Sequence, residues 1–166
     1  MASIELYLVR HGLAAERGGS GDDRQRPLTR AGIRRTRAVA KRLREAGLRF
    51  ERVLTSPLVR ARQTADILHD VGLTRRTEES PLLGPGGDFT RWLRWLARWR
   101  DQGGQRLALV GHEPDLGEWA ERLVWGGVRH QLVLKKAGVI GLTLPARGSP
   151  VGKSLLFLLV PPRFLR

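Results

Sequence analysis

The chain has 166 residues, no cysteine, and 30 Lys and Arg against 16 Asp and Glu, giving a formal charge of +14. That length predicts one domain over 1–166 with room for a sizeable core. The missing cysteines exclude a disulfide framework, thiolate chemistry and Cys-built metal sites.

The first element is the run Leu6-Tyr7-Leu8-Val9, which stops at Arg10-His11-Gly12. It is long enough for a buried strand and too short for a buried helix. Its end puts a cation and an imidazole at one edge of a sheet, where Gly12 lets the backbone turn sharply. A polar loop over 13–28 follows, with Gly18-Gly19-Ser20-Gly21 as its flexible centre. Thr29 is set to cap a helix running to Ala46, with Ile33, Val39, Ala40, Leu43 and Ala46 on its buried face and Gly47 as its stop.

Arg52-Val53-Leu54-Thr55 reads as a second strand. Ser56 and Pro57 then open a helix as cap and first residue, with Leu58, Ala61, Ala65 and Leu68 inward and Gly72 at its end. Residues 73–79 make a weak third strand. Asp88 caps a helix whose Trp92, Trp95 and Trp99 share a face. Core packing is the expectation for them, with a substrate or partner platform as the alternative.

Arg106-Leu107-Ala108-Leu109-Val110 is a clear fourth strand. It ends at Gly111-His112-Glu113-Pro114, and Pro114 starts a helix with Leu116, Trp119, Ala120 and Leu123 inward and Gly126-Gly127 as its stop. Three late strands are expected at 132–134, 139–144 and 155–160. Strands alternating with helices predict an α/β fold, a three-layer α/β/α sandwich whose mostly parallel sheet carries an antiparallel edge.

No apolar stretch is long enough to cross a bilayer. The start, Met1-Ala2-Ser3-Ile4-Glu5, lacks the basic and apolar regions of a signal peptide, so a cytoplasmic protein is expected. The charge invites a nucleic-acid hypothesis. However, it is spread along the chain as arginine, with short clusters at Arg34-Arg35 and Arg75-Arg76 and no basic tail. A background of arginine-rich composition explains it better, and the field draws in anionic substrates or acidic partners either way.

Ligands of such sheets bind beyond the carboxyl ends of the strands. Three strands deliver polar groups there: Arg10 and His11 after the first, Arg60 after the second, His112 after the fourth. Two arginines and two imidazoles beside helix N-termini make a pocket for a tetrahedral dianion. The four histidines, at 11, 69, 112 and 130, show no zinc-ligand spacing, so no metal and no cofactor are expected. His69 and His130 read as surface or structural residues, and Lys135 and Lys136 as a solvated edge. Asp22-Asp23 reads as a loop turn or a pair with Arg26.

These stretches also carry a resemblance. Leu8-Val9-Arg10-His11-Gly12 resembles the RHG signature of the histidine phosphatase superfamily, the phosphoglycerate-mutase-like fold. Ser56-Pro57-Leu58-Val59-Arg60-Ala61-Arg62-Gln63-Thr64 is similar to its second motif, and Val110-Gly111-His112-Glu113-Pro114 to its third. The short length, Arg26-Pro27-Leu28-Thr29, residues 83–88 and Lys136-Ala137-Gly138 bring the SixA-type phosphohistidine phosphatases nearest. The resemblance implies that His11 is the nucleophile and becomes transiently phosphorylated. It implies that Arg10, Arg60 and His112 hold the non-bridging oxygens, with Gly12 and Arg26 adding to the phosphate site. Arg26 either reaches the phosphate or fixes the loop.

Mutase-like relatives also use a Glu as general acid. Here Glu78, Glu79 and Asp88 are the only comparable residues, none in a recognisable motif. A missing acid favours phosphohistidine over a sugar phosphate, with Glu79 or Asp88 swinging into the site as the alternative. The leading expectation is thus a metal-independent phosphatase acting on phosphohistidine in a protein, such as a histidine phosphotransfer domain. The second is a broad small-molecule phosphomonoesterase of the same fold. The third, of another class, is a basic nucleic-acid-binding protein with a vestigial phosphate pocket. A monomer or weak dimer is expected.

Overall fold

The computed structural model describes residues 3–16 and 21–166; of the foreseen loop centre, Gly18, Gly19 and Ser20 lie outside them, as do Met1 and Ala2. Six strands form one sheet: β1 (Ile4–Arg10), β2 (Arg52–Thr55), β3 (Thr77–Glu79), β4 (Arg106–Gly111), β5 (Val139–Leu144) and β6 (Leu155–Val160). Their order is β3-β2-β4-β1-β5-β6. The first four run parallel, β5 is antiparallel to β1, and β6 is antiparallel to β5. The helices are α1 (Arg30–Glu45), α2 (Val59–Asp70), α3 (Phe89–Asp101) and α4 (Asp115–Trp125).

The period of two in a strand sends alternate residues of β1 to opposite layers. Leu6 and Leu8 join Leu107 and Leu109 under Trp92, Leu96 and Trp99 of α3 and Leu116, Trp119 and Leu123 of α4. Tyr7 and Val9 join Val53, Ala108 and Val110 under Val39, Ala40 and Leu43 of α1 and Ala61, Ala65 and Leu68 of α2. Two helices on each face make the three-layer sandwich. Trp92 and Trp119 lie 5.3 Å apart inside the first layer, so these tryptophans are core.

Four local expectations are corrected. The buried stripe of α1 is Gly32, Thr36, Val39, Ala40 and Leu43, which leaves Ile33 one step round the helix and 38% exposed, and Ala46 exposed beyond the helix end. Helix α2 starts later than foreseen, with Leu58 at its N-cap and no side-chain cap. Pro114 is the N-cap of α4, not its first residue. Finally, residues 132–134 are not a strand, because the Leu132 and Leu134 N–H groups are claimed by carboxylates described below.

Strand β6 closes one side of the sheet, with no further neighbour among the described residues. Leu155, Leu156, Phe157 and Leu159 on it are 38–68% exposed. Among the described residues no helix is long and apolar enough to cross a membrane.

Candidate active site

The sheet register brings the two imidazoles together. Arg10 pairs with Gly111, so the residues that follow them, His11 and His112, leave adjacent strands side by side. The His11 N–H donates to the Gly111 carbonyl at 3.0 Å, and the two rings are 5.2 Å apart. The neighbouring strand β2 feeds α2, whose first turn carries Arg60. A cavity of about 330 Å³ opens here, lined by Arg10, His11, Ala14, Asp23, Arg26, Arg60, Pro85, His112, Glu113 and Lys136.

His11 is buried, and its Nδ1 lies 2.7 Å from the Gly12 carbonyl. A carbonyl only accepts, so Nδ1 carries the proton and Nε2 keeps its lone pair. Burial lowers the pKa of His11, the Gly12 carbonyl opposes that, and His112, Arg60 and Arg10 add to it; the result is about 3. The ring is therefore neutral at physiological pH.

His112 is fixed through its other ring nitrogen. Its Nε2 lies 2.7 Å from the hydroxyl of Ser56, which is fully buried. That hydroxyl also accepts the Leu58 N–H at 3.2 Å. The hydroxyl hydrogen is assigned to Nε2, which places the ring proton on Nδ1. Among the described residues Nδ1 has no hydrogen-bond partner. Burial lowers the pKa of His112 to about 4, helped by Arg60, Arg10 and Arg26 and opposed by Asp23. Ser56 thus does not cap α2; its hydroxyl orients an imidazole instead.

The arginines are steadied by the polar loop. Arg60, 5% exposed, donates from Nη1 to the Asp23 carbonyl at 2.9 Å, and its Nη2 lies 3.4 Å from Asp23 Oδ2. Arg26 pairs through Nε with Asp23 Oδ1 at 2.8 Å and donates from Nη1 to the Ala15 carbonyl. Arg26 therefore fixes the loop while lining the cavity. Arg10 donates from Nη1 to the Leu134 carbonyl at 3.1 Å.

Gly12 is corrected as a phosphate ligand. Its N–H donates to Thr64 Oγ1 at 3.0 Å, its carbonyl takes His11 Nδ1, and it does not line the cavity. Nor does it serve a sharp turn. A Cβ there would lie 2.3 Å from Thr36 Oγ1, so the glycine allows α1 to pack directly on the backbone that carries His11.

Lys136 reaches the cavity from irregular chain that carboxylates hold from behind. Glu121 of α4, 1% exposed, accepts N–H groups of Arg129 and His130 on Oε1 and of Gln131 and Leu132 on Oε2. Burial raises its pKa, but these four donors more than reverse that and hold it at about 2. Glu113 accepts the Gly117 N–H at 2.6 Å and the Leu134 N–H. Burial nevertheless leaves the Glu113 carboxyl above its usual range. Two carboxylates and Arg10 thus pin the segment that presents Lys136, and that residue lines the cavity rather than a mere solvated edge.

Known proteins with this architecture place the chain. The model of the histidine phosphatase superfamily, branch 1, matches residues 6–81. An uncharacterized protein of Picosynechococcus sp. is 48% identical over 98% of this chain and 99% of its own length. Phosphohistidine phosphatase SixA of Escherichia coli K12 is 33% identical over 69% of this chain and 70% of its own. The chain belongs to the histidine phosphatase superfamily. Within it the likeness is to the SixA type. The solved structure of the protein histidine phosphatase SixA complexed with tungstate superposes with a TM-score of 0.86 and 27% identity, covering 98% of this chain and all of that one.

In this histidine phosphatase, the pocket gathers Arg10, His11, Arg26, Arg60 and His112 of the foreseen residues. It does not gather the foreseen acids. Glu79 pairs with Arg62 at 3.2 Å, Glu78 with Arg52 at 3.6 Å, and Asp88 caps α3 through the Arg91 N–H. His69 and His130 are exposed away from it. Sequence reasoning missed Ser56 and Glu113 as site residues. Glu113 sits inside the third motif and was open to notice as a carboxylate beside His112. Among the described residues no group of three His, Asp or Glu is arranged to hold a metal ion.

Proposed function

We propose that this histidine phosphatase removes phosphate from phosphohistidine in a protein, with His11 as the covalent nucleophile. Nε2 of His11 attacks phosphorus in line, forming an N–P bond as the substrate's own N–P bond breaks. The substrate ring takes a proton from solvent on its other nitrogen before the bond breaks, so it leaves as a neutral imidazole. Water then attacks phospho-His11, freeing inorganic phosphate and restoring the neutral ring. Arg10, Arg60 and the Nδ1–H of His112 hold the phosphoryl oxygens and offset their charge during transfer. The tungstate bound by the SixA neighbour, a tetrahedral oxyanion, supports such a pocket.

The observation that carries the substrate class is the state of the pocket's two carboxylates. Asp23 is committed to two arginines, and the Glu113 carboxyl, although burial raises its pKa, is engaged by the Gly117 and Leu134 N–H groups. An alkoxide, with a conjugate acid near water's pKa of about 15.7, needs a proton from an acid in the pocket. A phosphorylated imidazole can take that proton from solvent on its far ring nitrogen, whose ordinary pKa is about 6.5, and then leaves as a neutral ring without a protein acid.

The test is phosphate release from a phosphohistidine protein, a sugar phosphate and an aryl phosphate side by side. The phosphohistidine protein is expected to turn over fastest. His11→Ala is expected to lose at least about 10³-fold in activity with an unchanged melting temperature. Wild-type turnover in that variant would sink the mechanism, and faster turnover of the sugar phosphate would sink the substrate class.

A further inference from the structure

A second cavity, of about 540 Å³, lies beside the first and shares Arg10 and Lys136 with it. Its other walls are Lys135, Pro161, Pro162 and Arg163. Strand direction explains the juxtaposition. β5 is antiparallel to both β1 and β6, so β1 and β6 run the same way and end at the same edge. Pro161, Pro162 and Arg163 therefore emerge where Arg10 and His11 do, two strands across.

Four cations face this groove, and no acidic side chain lines it. Lys135, Lys136 and Arg163 are exposed, and among the described residues none lies within ion-pair distance of a carboxylate. The prolines give it a stiff apolar floor. β6, which leads to Arg163, lies two strand spacings, roughly 10 Å, from β1. That span exceeds the reach of a second charge on a small sugar phosphate. It matches acidic side chains one or two helical turns, about 5–11 Å, from a phosphorylated residue on a protein surface.

We propose that the groove between Lys135–Lys136 and Pro161–Arg163 docks acidic side chains flanking the phosphohistidine of a protein substrate, and so selects which phosphoprotein is served. The inference rests on the phosphatase reading of the adjoining pocket, and it extends that reading from reaction to partner choice. Charges at the rim of a contact act on encounter and specificity rather than on the chemical step.

The experiment separates the two. A fluorescein-labelled peptide with Asp and Glu flanking its histidine, and its Asn/Gln counterpart, are titrated by anisotropy into wild type and into Lys135→Glu/Arg163→Glu. Both residues are exposed and outside the phosphate pocket. The acidic peptide is expected to bind wild type at least about tenfold more tightly than its neutral counterpart, and the double variant is expected to erase that preference. Turnover of an aryl phosphate is expected to stay within about twofold in the variant. Equal binding of the two peptides, or a preference that survives charge reversal, overturns the docking site. So does a short RNA that binds the wild-type groove in place of the acidic peptide. Binding is read without turnover, so a failed phosphatase reading shows separately, as His11-independent phosphate release.

Discussion

The phosphate pocket has two walls built by different means. One is made of strand ends: Arg10 and His11 leave β1, His112 leaves β4, and Arg60 follows β2, all held by a parallel ladder. The other contributes Lys136, carried by residues 129–136, which have no ladder and are held through backbone N–H groups by Glu121 and Glu113. Both are fixed, but the first repeats its anchoring bonds along every strand, whereas the second concentrates them on two side chains. The second wall is therefore the one that a single substitution can dismantle.

Glu121→Ala is expected to have the largest effect. It leaves four N–H groups without their acceptor, at a cost of about 4 kcal/mol, or roughly a 10 °C fall in melting temperature. The same carboxyl carries a pH signature. Its pKa drops from 4.5 to about 2 on folding, so its contribution is complete above pH 4.5 and is lost as pH falls toward 2. Thermal melts between pH 2 and 6 should show that slope in wild type and lack it in Glu121→Gln. Identical slopes would mean that Glu121 does not anchor this wall.

The strand-end wall is broken from behind. Gly12→Ala drives a Cβ against Thr36 Oγ1 and should cost about 2 kcal/mol, together with a displaced His11. Among the described residues Thr36 Oγ1 has no hydrogen-bond partner, so Thr36→Ala should be mild alone and should recover about 1 kcal/mol in the double variant. Additive denaturant midpoints would remove this contact from the account.

The finest test concerns the orientation of His112. Ser56→Ala frees its Nε2, so nitrogen NMR should show the Nδ1–H tautomer giving way to a mixture. kcat should fall about tenfold with KM little changed, since Ser56 acts through His112. Ser56→Thr should restore both. An unaltered tautomer in Ser56→Ala would show that the hydroxyl does not set it.

The same contrast separates what was legible in the sequence from what was not. Parallel strands buried on both faces are continuous apolar runs, so β1, β2 and β4 and the polar residues at their ends stand out. The late segment misled because Leu132-Val133-Leu134 has a strand's composition, yet its Leu132 N–H is taken by Glu121, eleven residues back, and its Leu134 N–H by Glu113. No period in a sequence records a side chain replacing a neighbouring strand. Ser56 misled for a similar reason: Ser before Pro is a local capping signal, and a tertiary contact with His112 overrode it. Gly12 was rightly singled out, but for conformational freedom, whereas the need is for close approach by α1.

The open flank of β6 has a colloidal consequence. An unpaired strand bearing Leu155, Phe157 and Leu159 to solvent is a template for edge-to-edge association. The formal charge of +14 opposes it, since like charges keep two such flanks apart. That protection shrinks with the Debye length, from about 10 Å at 0.1 M salt to about 3 Å at 1 M. Solubility of this protein is thus held by repulsion rather than by a covered edge, and light scattering should rise as salt is added. Scattering that stays flat to 1 M salt would show that the strand protects itself.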